Sequence, residues 1–295
     1  MAPAQQTVFI TGCSPGGIGN ALAREYHARG CKVIASARRP EALTDLAALG
    51  LETVLLDVDN EESVAAAVKS VSDITAGRLD ILVNNAGTTY QMPLADVELS
   101  RLRALFETNL VSVVGLTNQL LPSLIQAKGL VVNISSASES LPFPFKGAYA
   151  MTKAALASYS RTLSVEVAPF GVRVLNVTTA FIQSQLGKRA PPPEWPTDSL
   201  YDSMRSLQQS AGSGQRMLPE AYAKQVVSES LKGAGWLELG PWRFGGTRET
   251  MMLGTLSGPM WVLGFLGSNW ARFFMLRKWK FSILTDALAR DKKTI

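Results

Sequence analysis

Short runs of β-prone apolar residues recur through the first two thirds of the chain: TVFIT from Thr7, CKVIASA from Cys31, ETVLLDV from Glu52, DILVNNAG from Asp80, GLVVNISS from Gly129 and GVRVLNV from Gly171. Between them lie stretches with helical spacing. Ala21, Leu22, Tyr26 and Ala28 share one face of a helix that Gly30 stops, and 42–49 and 61–74 read as further helices. This alternation limits the fold more than any other feature. A strand that is apolar throughout must be covered on both faces, and strands separated by helices pair in parallel. The expectation is an α/β chain with a doubly wound parallel sheet of the Rossmann type, folded as one domain.

Composition narrows the classes of function. A chain of 295 residues with 46% apolar and 18% charged residues can bury a sizeable core and is not of disordered type. The formal charge of +5 is carried by the C-terminus, where Arg272, Arg277, Lys278, Lys280, Arg290, Lys292 and Lys293 outnumber Asp286 and Asp291. The body is therefore neutral, and no nucleic-acid surface is expected. Two cysteines, Cys13 and Cys31, give no disulfide framework, and MAPAQQ lacks the basic start of a signal peptide, so the expected setting is cytoplasmic.

Two regions break the rhythm. Residues 183–214 are polar and Pro-rich (APPPEWP), too long for an ordinary connection, and read as a lid over a substrate. Residues 250–271 hold no charge. The chain accordingly divides into a catalytic domain, 1–245, and a hydrophobic and basic extension, 246–295. The uncharged stretch is long enough to span a bilayer, but four glycines and Pro259 argue against a single spanning helix. Trp261 and Trp270 with the basic residues that follow suit a lipid interface, at the endoplasmic reticulum or a lipid droplet. The alternative is a buried segment that closes the substrate pocket or meets a second copy.

The stretch TGCSPGGIG joins the first strand to the first helix. Gly12, Gly17 and Gly19, with Ile18 between the last two, let backbone approach an anionic group at a helix N-terminus. An ordinary glycine-rich βα turn would look the same. The loop has company, however: Asn84-Asn85-Ala86-Gly87, then Ser136 thirteen positions before Tyr149, then Lys153 four positions after it. In this order the motifs resemble the short-chain dehydrogenase/reductase family over roughly residues 7–227. Within it, the loop and the segment ending DSLY look similar to fungal 1-acyldihydroxyacetone-phosphate reductases and related ketoreductases. The loop is one residue longer than the family's, with the insertion at Pro15-Gly16.

Residue chemistry and resemblance then assign a site. Strand two ends in Ala37-Arg38 instead of an acid, so a 2′-phosphate is welcome there, with Ser14 adding a hydroxyl; NADP(H) is expected over NAD(H). Tyr149 and Lys153 share a helix face, so Lys153 is expected to lower the phenol's pKa and make it a usable acid. Ser136 polarises the substrate carbonyl, with Ser135 as the alternative. The resemblance implies that Asp57 and Val58 contact adenine, that Asn85, Ala86 and Gly87 line the adenosine side, and that Lys153 bonds the nicotinamide ribose. It implies a fourth catalytic member in Asn109 and a homo-oligomer in many relatives.

The chain departs from the family after the sixth strand, where Thr179-Ala180-Phe181 replaces a Pro-Gly step. By position Ile182 holds the nicotinamide carboxamide and Ser184 replaces a Thr. Glu139 stands where the family often has Gly; it reads as a solvated loop residue, or one at the substrate mouth. His27, on the first helix, reads as a surface or helix-packing residue, and no metal is expected. Phe143, Phe145, Phe181 and Trp195 offer apolar walls. The expected activity is reduction of a lipophilic ketone, with an acyl-dihydroxyacetone-phosphate-like lipid as one candidate. A secondary-alcohol dehydrogenase, a ketoreductase of fungal secondary metabolism, and a non-catalytic NADP(H) sensor or template protein are the rivals.

Overall fold

The computed structural model describes residues 5–186, 194–205, 216–235, 237–239, 242–265, 268–281 and 283. Seven strands form one parallel sheet: β1 Thr7–Ile10, β2 Lys32–Ala37, β3 Glu52–Leu55, β4 Ile81–Asn84, β5 Leu130–Ile134, β6 Arg173–Thr179 and, late in the chain, β9 Thr250–Leu253. Their order is β3-β2-β1-β4-β5-β6-β9. β7 Leu237–Leu239 and β8 Trp242–Phe244 make a separate antiparallel pair.

Each strand alternates between two cores, as a period of two requires. Val8, Ile10, Val33, Ala35, Ile81, Val83, Leu130 and Val132 face one side. There they meet α1 (Ile18–Ala28) and α7 (Pro219–Ser230), which contribute Leu22, Tyr26, Tyr222 and Val226. Phe9, Ile34, Leu82 and Val131 face the other. On that side lie α3 (Glu61–Thr75), α5 (Ser112–Ala127) and α6 (Gly147–Val167), contributing Val64, Leu116, Leu120 and Leu163. Each such aliphatic or aromatic side chain contributes about 1.5–3 kcal/mol when fully buried. The stretch 42–49 becomes a 3₁₀ turn, Pro40–Leu43, and a single helical turn, α2 (Thr44–Ala47), because Pro40 initiates tightly and Gly50 ends it at φ +82°.

The uncharged stretch 250–271 is not one element. Its start is β9, paired in parallel with β6, so the region expected as an extension begins inside the sheet. Gly254 at φ +122° and Leu256 at φ +65° then turn the chain into α8 (Ser257–Phe265), and α9 (Ser268–Lys278) follows. Lid residues 187–193 and 206–214, and Arg290, Lys292 and Lys293, lie outside the described residues.

Candidate active site

The strand order reverses between β1 and β4, which are adjacent although β2 and β3 intervene in sequence. At such a point the connections leave in opposite directions and open a crevice beyond the carboxyl ends. Thr11 ties the two strands together there. Its Oγ1 accepts from the backbone N–H of Asn85 and Ala86 at 3.0 and 2.9 Å, and Asn85 Nδ2 donates back to the Thr11 carbonyl at 2.7 Å. A cavity of about 760 Å³ occupies the crevice. It is lined by Gly12, Ser14, Gly17, Ile18, Arg38, Asp57, Val58, Asn85, Ala86, Gly87, Ser136, Tyr149, Lys153, Ile182 and Ser184. The sites anticipated along the chain thus meet in one place, with two exceptions: Gly19 and Asn109 stand behind the wall.

The glycine loop passes close to its neighbours. Gly12 is at φ +74°, and a Cβ there would stand 2.9 Å from Ala86 Cα. Gly19 packs so closely that a Cβ would meet the Gly12 carbonyl oxygen at 2.6 Å, so its role is helix-to-strand packing. The inserted Gly16, at φ +68°, faces the Gln185 side chain at the start of the lid segment. Gly17 caps α1 without a side chain, leaving the first N–H groups of the helix directed at the cavity. Asp57 and Val58 are held by a braced turn: Asn60 Oδ1 caps α3 by accepting from Ser63 N–H at 2.8 Å, and Ser63 Oγ accepts from Asp57 N–H at 2.9 Å. β2 ends in buried Ala37 and exposed Arg38 follows it, with no carboxylate there to repel a phosphate. Bare backbone, a helix N-terminus and a cation at the rim form a donor set that fits a dinucleotide carrying a 2′-phosphate.

At the other end Ser136 and Tyr149 line the same wall of the cavity, with the Ser136 hydroxyl near enough to the phenol to lower its pKa. Ser136 Oγ accepts from Ser138 N–H at 3.3 Å and from Ser138 Oγ at 2.9 Å, which leaves its own proton free to be donated. Ser135, the alternative, is buried and committed elsewhere, donating to Glu139 Oε2 at 2.5 Å. Lys153 is buried; its Nζ donates to the Ile134 carbonyl at 2.9 Å and lies 5.8 Å from the Tyr149 ring centre. Asn109 sits in a π-helical turn, Glu107–Val111, that widens the continuous helix from α4 (Leu99–Phe106) into α5. The extra residue in the turn aims Asn109 inward. Its Oδ1 accepts from Thr88 N–H at 2.8 Å, and its Nδ2 donates to the Thr88 carbonyl and to Thr152 Oγ1 at 3.0 and 3.1 Å. Asn109 thereby fixes the strand-four loop against α6, behind Gly87 and Lys153.

Several expectations need correction. In the chain alone Lys153 does not depress the phenol: burial pushes Tyr149 up to about 12, Ser136 opposes this, and the Glu139 carboxylate adds to the rise. Burial pulls Lys153 down to about 8, with Glu139 acting to raise it. Glu139 is neither solvated nor at the mouth. It turns inward beneath the serine loop, accepting from Ser135 and, at 2.7 Å, from Thr178 Oγ1 on β6. Phe143 and Phe181 stack edge to face at 6.1 Å and line a small recess of about 60 Å³ with Met260 of α8. Phe145 and Trp195 do not line it; they pack with Tyr201, Trp279 and Phe281, anchoring the lid's described part and the chain after α9. The unusual exit from β6 is braced by backbone bridges, Phe181 to Thr255 and Ile182 to Met217. His27 is exposed, and among the described residues no cluster of metal-ligating side chains occurs.

Sequence reasoning missed Lys146, Thr179, Gln185 and Arg216, all on the cavity wall. Lys146 was within reach of it, three residues before Tyr149 and so one helical turn away. Arg216 carries no local signal.

The short chain dehydrogenase family model matches residues 6–195. A short-chain dehydrogenase of Penicillium ochrochloron is 42% identical over 240 residues, covering 78% of this chain and 86% of the relative. An NADPH-dependent 1-acyldihydroxyacetone phosphate reductase of Schizosaccharomyces pombe is 41% identical over 183 residues, covering 62% of each chain. Among solved structures, a short-chain dehydrogenase from Streptomyces avermitilis superposes with a TM-score of 0.76 at 32% identity, covering 93% of this chain and 97% of that one.

Proposed function

The chain belongs to the short-chain dehydrogenase/reductase family, oxidoreductases that act on alcohol and ketone groups with a nicotinamide cofactor, and on that premise we propose that it is an NADPH-dependent reductase of lipophilic ketones. One observation carries the reading: Ser136, Tyr149 and Lys153 open into the same cavity as the glycine loop and Arg38. Preference for NADPH follows from Ala37 in place of an acid with Arg38 after it, and agrees with the cofactor of the Schizosaccharomyces pombe relative. Gly12, Gly17 and Arg38 would hold the phosphates, Asp57 and Val58 the adenine, and Lys153 the nicotinamide ribose. When bound, the cofactor supplies a hydride for the carbonyl carbon.

The chain's own part is proton transfer and positioning. Ser136 holds the carbonyl oxygen with its free proton, and Tyr149 gives its proton to that oxygen. A phenol held near 12 remains a proton donor throughout the physiological range. Lys153 and Asn109 fix the α6 face from which Tyr149 projects. The recess between Phe143, Phe181 and Met260 favours an apolar substrate. Consumption of NADPH against a panel of long-chain, polycyclic and 1-acyl dihydroxyacetone phosphate ketones tests this. Tyr149→Phe should reduce kcat by about 10²–10⁴. Full activity in that variant removes Tyr149 from the chemistry; turnover of no ketone favours the sensor and template rivals.

The lipophilic reading extends to a lipid surface. Trp261, Trp270, Phe273 and Phe274 are each about half exposed or more on α8 and α9, among exposed Arg272, Arg277 and Lys278. Aromatic faces beside cations suit the boundary between acyl chains and anionic headgroups. The protein should float with anionic liposomes, and Trp270→Ala with Phe274→Ala should cut the bound fraction several-fold while leaving thermal stability nearly unchanged. A wild-type protein that stays in the dense fraction rejects the attachment.

A further inference from the structure

Lys146 caps α6 one turn before Tyr149, and it lines both the large cavity and the recess formed with Ser136, Phe143, Phe181 and Met260. Its side chain is only partly exposed, and the ammonium lies over the Phe143 ring, 6.0 Å from its centre. Among the described residues no carboxylate or carbonyl stands within hydrogen-bonding distance of it. The nearby acid, Glu139, is turned away toward Ser135 and Thr178. Asp57 and Asp59 belong to the glycine-loop end of the same cavity. The second cation of the wall, Arg216, adds like charge; burial first, and Arg216 after it, hold the Lys146 pKa below the ordinary lysine range.

A partly desolvated cation that meets no carboxylate among the described residues is unfavourable unless a ligand supplies the partner. The cofactor's own phosphates are served by the glycine loop and Arg38, whereas Lys146 stands beside the proton donor. We propose that Lys146, in the field of Arg216, binds an anionic group, phosphate or carboxylate, carried by the ketone substrate, with the apolar part of that substrate running between Phe143, Phe181 and Met260. This rests on the reading of the site as a ketone reductase and narrows its substrate to an anionic amphiphile.

The test compares two ketones that differ only in charge, a medium-chain 1-acyl dihydroxyacetone phosphate and the same compound without phosphate, at saturating NADPH so that the cofactor's phosphate sites are filled. The wild type should favour the phosphate by more than about tenfold in kcat/KM. Lys146→Met should lower that ratio by about 10–100-fold, mainly through KM, the scale of one charge-assisted hydrogen bond. Lys146→Arg should restore most of it. A ratio unchanged in Lys146→Met overturns the proposal, even if both activities fall. Calorimetric titration of the NADPH-loaded protein with dodecyl phosphate, dodecanoate and dodecanol separates this inference from the function. Loss of anion binding in Lys146→Met, with neither ketone reduced by the wild type, would keep the anion site and reject the reductase reading. Dodecyl phosphate binding equally to both proteins would reject the site. The anion that binds more tightly names the group.

Discussion

At the glycine-loop end the cavity wall is backbone and short polar side chains fixed where strands stop; around Tyr149 it is aromatic rings and cations from segments far apart in sequence. Gly12, Asn85 and Ser136 each follow a strand directly, so once the sheet has its register their positions are set to within a bond or two. Phe143, Phe181, Arg216 and Met260 come from four separate segments that meet only after β9, α7 and α8 have docked. The first kind of wall is determined by the sheet and suits what is common to many chains. The second is determined by loops and is free to vary with the substrate.

The largest effect that would break this division comes from Arg38. Arg38→Asp places a carboxylate where the 2′-phosphate is proposed to sit. We expect kcat/KM for NADPH to fall about 10–100-fold, while NADH gains and becomes the better cofactor. If the two ends are independent, the ranking of ketones measured with the preferred cofactor should not change. A reordered ketone ranking would mean that the ends are coupled, and an unchanged NADPH constant would remove Arg38 from cofactor recognition.

The same contrast explains what could be read from the sequence. Apolar runs and glycine punctuation are local signals, so the six strands up to β6 and their parallel pairing were legible, whereas the order that opens the crevice between β1 and β4 is seen in the folded sheet. β9 was not, because TMML lies inside an uncharged stretch whose composition resembles an interface helix; its identity as a strand depends on the free edge of β6. Lining residues next to strands were found by motif. Lys146 is close enough in sequence to have been found, but Arg216 faces the cavity only because Met217 bridges to Ile182. The direction of the Tyr149 shift was misjudged for a related reason. Spacing places Lys153 near the phenol, but spacing carries no information on burial, and burial dominates both groups.

Glu139 lies on the boundary between the two ends, and it gives the smaller effect that sharpens the comparison. It joins the strand-five loop that carries Ser136 to Thr178 on β6, and its charge raises the pKa of both Tyr149 and Lys153. The groups facing the pair are Glu139 and Ser136 from the serine loop, the Ile134 carbonyl from β5, and Asn109 by way of Thr152. Glu139→Gln keeps an acceptor for Thr178 and a polar partner for Ser135 while removing the charge, so less than about tenfold should be lost in kcat at the optimum. With the carboxylate gone, both pKa values fall. Reduction requires the protonated phenol and is favoured by the protonated lysine, so activity is lost as pH rises through the lower of the two, Lys153 at about 8. The basic limb of the kcat profile in Glu139→Gln should therefore move to lower pH. A profile that keeps its basic limb, with kcat simply scaled down, would make Glu139 a structural brace between β5 and β6; a limb that moves up would reverse the sign assigned to its charge.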